Sequence, residues 1–243
     1  RPIGVDLFSG AGGMSLGFEQ AGFDVKAAVE IDPIHAATHK FNFPDCAVLT
    51  KSVTEVSGDE IRSVAGIGTA TVDVVFGGAP CQGFSLIGQR ALDDPRNSLV
   101  KDFVRLVVEL DATSFVFENV KGLTVGKHRK FLFELIEEFE GYGYDVQKDW
   151  RVLNAADYGV PQDRQRLILM GVKHGRTLPT YPATIPARPT CGDALGDLPD
   201  AESFEVLNYT DAVDVPKWAT PSEYATPLRG LGNDAWMFGH PRK

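Results

Sequence analysis

With 243 residues, 43% of them hydrophobic, the chain is long enough for one α/β domain or a domain with an appendage. It holds no apolar run near the roughly 18 residues of a membrane span and no N-terminal signal pattern. A net charge of −9 and a pI near 5.0 argue against a protein that coats nucleic acid through a generally basic surface. They leave room for a local basic face.

Up to residue 172 the chain alternates strand-like and helix-like segments. Residues 3–8 are a short apolar run, Gly10-Ala11-Gly12-Gly13 a turn, and residues 14–21 have helical periodicity. A second strand spans 25–31. Pro33 then suits the first turn of a helix running to 41, with Asp32 placed to cap it. The run Val72-Asp73-Val74-Val75-Phe76 reads as a buried strand broken by Gly77-Gly78-Ala79-Pro80. A helix is expected over 98–110, a strand over 114–117 ending in Glu118-Asn119, a helix over 131–139 and a last strand over 166–172. This alternation predicts an α/β fold with a doubly wound, mostly parallel sheet. The expected division is a catalytic domain over 1–172 and a Pro-rich, irregular C-terminal extension over 173–243, without strong periodicity of either kind.

Cys81 is expected at the carboxyl end of the Val72–Phe76 strand, at the start of a loop and at the edge where open α/β sheets bind ligands. Followed by Gln82-Gly83-Phe84-Ser85, it reads either as a presented nucleophile or as a small buried hydrophobe. The three cysteines, Cys46, Cys81 and Cys191, are odd in number and lack metal-ligand spacing, which fits a reducing cytoplasm. The first turn lets a ligand approach the backbone at a helix N-terminus. It departs from the dinucleotide pattern G-x-G-x-x-G, because Ser15 takes the place of the third glycine. Glu30, about 20 residues on, is placed to bind ribose hydroxyls.

Glu118 ends an apolar strand, and a carboxyl group held among apolar residues can keep its proton and donate a hydrogen bond. Gln162, Arg164 and Arg166 alternate, so a strand there would put them on one face. His35 and His39 lie four apart, but Ala36 breaks the zinc pattern H-E-x-x-H and no metal site is expected. The densest basic stretch, Lys121, Lys127, His128, Arg129 and Lys130, reads as a solvated helix start.

In order, Asp6-Leu7-Phe8-Ser9-Gly10-Ala11-Gly12-Gly13, Glu30, Pro80-Cys81-Gln82, Glu118-Asn119-Val120 and Gln162-x-Arg164-x-Arg166 resemble the motifs of cytosine-5 DNA methyltransferases. The resemblance covers residues 1–172 and implies the Rossmann-like fold of S-adenosylmethionine-dependent methyltransferases. It implies that Phe8 packs on the adenine of S-adenosyl-L-methionine, that Ser9, Gly10, Gly12 and Gly13 approach its methionine portion, and that Glu30 binds its ribose. Ile31, Pro80 and Leu99 would complete the pocket. Where the family has an Asp to read the adenine amino group, this chain has Ser52 or a backbone carbonyl.

By the same resemblance Cys81 is the nucleophile, Glu118 and Arg166 hold the target cytosine, and Arg164 braces the loop. Gln82, Ser85, Arg90 and Arg96 would contact double-stranded DNA from a mobile loop. The implied enzyme is bacterial, cytoplasmic and tied to restriction–modification or phage defence. A tRNA cytosine-5 methyltransferase and a catalytically inert adaptor of the same fold stay open as alternatives. Residues 173–243 would then be a Pro-rich linker and the start of the family's target-recognition region, with the closing motif expected in a further C-terminal segment or a second subunit.

Overall fold

A computed structural model describes residues 1–80, 97–126, 128–210, 212–215 and 219–229. The chain divides into two compact units. One comprises Arg1–Leu153 and Gln165–Pro182, the other Asn154–Arg164 and Ala183–Lys243.

The first unit is built on β1 (Ile3–Leu7), β2 (Asp24–Val29), β3 (Ala47–Leu49), β4 (Val74–Gly77), β5 (Ser114–Val120), β6 (Tyr144–Val146), β7 (Arg151–Asn154) and β8 (Gln165–Lys173). Among the described residues these form one sheet in the order β3-β2-β1-β4-β5-β8-β6, with β7 also paired to β8. The first five are parallel, while β8 runs antiparallel to β5 and β6. The doubly wound, mostly parallel architecture read from the sequence is therefore present.

Helices α1 (Gly13–Gln20) and α2 (Pro33–Asn42) lie against one face of the sheet, and α3 (Gly58–Val64), α4 (Ser98–Glu109) and α5 (His128–Gly141) against the other. The central strands β1 and β4 are buried almost throughout, the reason they read as continuous apolar runs. Phe18 of α1 stacks on Phe76 of β4 (ring centroids 3.8 Å apart), and Phe139 of α5 stacks on Phe115 of β5 (3.8 Å). Pairs of this kind add about 0.5–1.5 kcal/mol beyond their area burial.

Asp32 caps α2 as its position before Pro33 suggests, its Oδ1 accepting from the backbone N–H groups of Ile34 and His35. These bonds hold its carboxyl below the usual carboxylate range. The expected shared face of Gln162, Arg164 and Arg166 is not formed, because β8 begins only at Gln165. Residues 154–164 instead close on themselves. Asn154 Oδ1 accepts from Arg164 N (3.0 Å), and Ala155 N donates to the Arg164 carbonyl (3.0 Å). The backbone of Arg164 thus closes this loop, and of the three only Arg166 is on the sheet.

The second unit carries short elements where no periodicity is legible. These include α6 (Cys191–Leu195) and α7 (Ala225–Leu228). Thr190 and Asp193 form a capping box at the start of α6. Arg229, after α7, donates two bonds to the buried Asp197 (2.9 and 2.7 Å) and one to the Ala194 carbonyl.

Candidate active site

The turn between β1 and α1 is shaped by residues that only a glycine-rich sequence accommodates. Gly12 has φ 100°, and a Cβ there would stand 2.3 Å from the Phe43 ring. Phe8 itself sits at φ 62°, a strained conformation of the kind found at ligand clamps. Underneath, α2 supplies the floor. His39 is fully buried against Phe43 (centroids 4.9 Å), with its pKa lowered by burial, and Asn42 Nδ2 donates to the Ala11 carbonyl (3.2 Å). His35 is exposed, so the two histidines do not share an environment. Among the described residues no group of three or more His, Cys, Asp or Glu is placed to hold a metal ion.

Glu30 follows β2 and is almost buried. Its Oε2 accepts from Gly10 N (2.8 Å) and its Oε1 from Asp32 N (2.8 Å). A carboxylate offers about four acceptor sites, so each oxygen keeps a lone pair for a ligand hydroxyl. Beside it opens a cleft of about 260 Å³. Of the residues expected around a cofactor, Phe8, Glu30, Ile31, Ser52, Pro80 and Leu99 line it. Val29, Lys51, Val53 and Gly78 line it too and were not singled out in the sequence. Ser52 brings a qualification. Its hydroxyl bonds Thr54 Oγ1 (2.8 Å) and caps the 3₁₀ turn Val53–Glu55, so its polar atoms already serve that cap.

Two observations make the turn and cleft fit a nucleoside-bearing ligand with an amino-acid end. The Ser9 hydroxyl is buried with no hydrogen-bond partner among the described residues, and a buried hydroxyl left unpaired costs free energy until a polar group meets it. The Cβ positions of Gly10 and Gly13 face open space.

Asp6, on β1 just before the turn, is 1% exposed and accepts from Ser15 Oγ (2.6 Å). Burial pushes its pKa up to about 7, against the opposing Ser15 hydrogen bonds and with a smaller push from Glu30. A folded pKa above the unfolded value means that the stability contribution is complete below about pH 4 and is lost as the pH rises through about 7. Asp6→Asn removes this titration. Urea unfolding at pH 5 and pH 8 is expected to show the variant gaining on the parent as pH rises, by about 2–3 kcal/mol. A constant difference between the two proteins would contradict the assignment.

The second cluster lies where β5 and β8 pair, with Val120 opposite Arg166 and Glu118 opposite Ile168. Glu118 is not enclosed by apolar groups. Its side chain is 22% exposed, and its Oε1 accepts from Arg166 Nε (3.0 Å). Arg166 Nη1 donates to the Gln165 carbonyl (2.9 Å), which leaves part of the five-donor fork for a ligand. Gly78 permits this arrangement, because a Cβ on it would stand 2.9 Å from Glu118 Oε2.

Asn119, to which the sequence reading gave no role, joins this cluster to the loop after β4. Its Nδ2 donates to the Ala79 carbonyl (2.9 Å), and its Oδ1 accepts from Val120 N (2.9 Å). The backbone entering Pro80 is thereby fixed to the residue after Glu118. Cys81, Gln82, Ser85, Arg90 and Arg96 lie outside the described residues.

A family model described as C-5 cytosine-specific DNA methylase matches residues 4–218. The chain is 65% identical over 243 residues to the type II methyltransferase M.XorII of Xanthomonas oryzae pv. oryzae, covering 100% of this chain and 57% of that protein. It is 45% identical over 212 residues to M1.HphI, a type II methyltransferase of Haemophilus parahaemolyticus, covering 84% and 56%. A crystal structure described as a prophage-encoded DNA modification methyltransferase of E. coli aligns with a TM-score of 0.71 at 37% identity, over 82% of this chain and 56% of that one. The chain spans little more than half the length of these relatives.

Proposed function

This chain belongs to the C-5 cytosine-specific DNA methylase family, and from that premise we propose that it methylates C5 of a flipped-out cytosine in double-stranded DNA. The observation that carries the reading is the Glu118–Arg166 pair, tied through Asn119 to the carbonyl of Ala79, two residues before Cys81. The Glu118–Arg166 pair and the backbone two residues before Cys81 are thus held at the same strand end.

The methyl donor proposed is S-adenosyl-L-methionine, which when bound supplies an electrophilic methyl group on a sulfonium. Glu30 would accept from its ribose hydroxyls, Phe8, Ile31, Pro80 and Leu99 would flank its adenine and thioether portions, and Ser9 with the turn through Gly10, Gly12 and Gly13 would take its amino-acid end. Ser52 would contribute to the adenine edge. Glu30→Ala removes both a ribose acceptor and the brace on Gly10 N. Because a hydrogen bond to a charged group contributes about 1.5–3 kcal/mol, cofactor affinity measured by calorimetry is expected to fall at least tenfold. Unchanged affinity would remove Glu30 from the pocket.

The chain's own residues then account for the chemistry. C5 of cytosine is a poor nucleophile. The Cys81 thiolate adds to C6, and the electron pair displaced makes C5 enamine-like, able to take the methyl group. Negative charge built on the ring is relieved by Glu118 at N3 and the exocyclic amine and by Arg166 at O2. Removal of the C5 proton by a base then re-forms the C5–C6 double bond and expels the thiolate. The base must leave the stack to reach Cys81, at a cost of a few kcal/mol. Gln82, Ser85, Arg90 and Arg96 would contact the DNA around it, and Arg164 would brace the loop before β8.

The relatives M.XorII and M1.HphI are type II methyltransferases, which favours a restriction–modification role in the cytoplasm over a tRNA substrate. No helix among the described residues is long and apolar enough to cross a membrane. The test is tritiated methyl transfer by the complete protein to duplex DNA and to tRNA side by side. Transfer to DNA is expected, and transfer to tRNA alone would overturn the reading.

A further inference from the structure

The basic stretch after β5 does more than open a helix. Lys121 is exposed, and its Nζ donates to Gln165 Oε1 (2.8 Å), the first residue of β8. Farther along β8 the Ile168 carbonyl accepts from Tyr181 Oη (2.7 Å). Arg151, which opens β7, the strand paired with β8, lies over the Tyr181 ring (5.3 Å). Its neighbour Trp150 lies under Arg129, 5.9 Å from ring centroid to guanidinium, and Phe133 flanks the same guanidinium at 5.3 Å. One continuous set of contacts thus joins Lys121, Arg151 and Arg129.

No ion pair among the described residues neutralises the cations of this run. Among the described residues no carboxylate lies within 4.0 Å of Lys121, Arg129 or Arg151. Elsewhere in this acidic chain exposed cations are commonly paired, as Lys51 is with Glu60 and Lys148 with Glu140. Nearby Lys130 also has its acid, Glu134, at 3.6 Å. Asp149 acts on Tyr181 without closing on either arginine. The aromatic faces hold the two guanidinium groups in place, which lowers the entropy lost on binding. The run begins at Gln165, whose carbonyl also accepts from Arg166 of the proposed base pocket.

We propose that Lys121, Arg129 and Arg151, seated on Gln165, Trp150 and Tyr181, form a contact surface for the sugar–phosphate backbone of DNA flanking the target base. The inference rests on the reading of the chain as a DNA methyltransferase. It explains how an acidic protein holds a polyanion, with a few unpaired cations set beside the pocket.

The experiment is duplex-DNA binding by the complete protein, followed by fluorescence anisotropy across a salt series. Each phosphate contact contributes about 0.9 to the slope of log K against log salt, so Lys121→Gln, Arg129→Gln and Arg151→Gln are each expected to flatten it by about that amount. Arg129→Lys and Arg151→Lys keep the charge and should keep the slope. Affinity for S-adenosyl-L-methionine, measured in parallel, checks that each variant is folded. Slopes equal to the parent's in all three Gln variants would remove the surface while leaving the DNA reading intact. A complete protein with no salt-dependent binding to duplex DNA would overturn both.

Discussion

Cys81→Ser is expected to abolish covalent capture of duplex DNA carrying 5-fluorocytosine, while the parent protein forms the adduct. Fluorine at C5 cannot leave as a proton does, so the elimination that frees the thiolate is blocked and the intermediate is trapped. A free thiol with a pKa of about 8.5 is a few per cent thiolate at neutral pH, whereas a serine hydroxyl is far less ionised and would need a general base to be activated. Loss of a nucleophile that acts as one unit with its partners costs as much as ~10⁶-fold in turnover. The measurement is denaturing electrophoresis of the complete protein with labelled DNA and S-adenosyl-L-methionine. Cofactor affinity of Cys81→Ser should stay within a factor of about two, which separates lost chemistry from lost fold. A full yield of adduct from the variant would show that another residue attacks C6.

The strands legible in the sequence are the longer, inner ones, β2 and β8 among them. β1, β4 and β5 stand in the middle of the sheet, so Val5, Leu7, Val74, Val75, Phe115 and Phe117 read as apolar runs. β3 and β6 have three residues each and lie at the two edges of the sheet, too short for periodicity to register. α3 was also missed, although Ser57 capping Glu60 N is a start signal that local sequence carries. Gln162 and Arg164 were misjudged for a different reason. Alternation predicts a shared face only inside a strand, and the bonds between Asn154 and Arg164 keep the chain in a loop until Gln165.

At the site, residue type carried much of the information and tertiary contact the rest. Glu30 and the glycine turn could be read because their spacing reflects one βα unit. Asn119, Gly78 and the floor made by His39 and Phe43 could not, because each acts on a partner far along the chain. Asn119 reaches Ala79 across 40 positions, and Gly78 yields space to the Glu118 carboxylate. No local pattern encodes a side chain that is absent so that another can fit.

That dependence makes Glu118→Gln the second decisive substitution. The amide is nearly the same size, so the space beside Gly78 is kept, and Gln can still present an oxygen to Arg166 Nε. It cannot deliver a proton to N3, where charge builds as the thiolate adds. General acid catalysis of this kind contributes about 10²–10⁴-fold, and methyl transfer at saturating DNA and cofactor is expected to fall by that range. Arg166→Lys should cost less, because the ammonium keeps the charge at O2 but gives up the forked geometry. Affinity for S-adenosyl-L-methionine should be unchanged in both, since neither side chain lines the cofactor cleft. The distinguishing measurement is single-turnover methyl transfer beside cofactor calorimetry. A loss of cofactor affinity equal to the loss of rate would mean that Glu118 supports the fold around β5 and does not act on the base. A rate fall with affinity intact is the result expected of a group acting on the base at N3, where it relieves the charge that thiolate addition at C6 places on the ring.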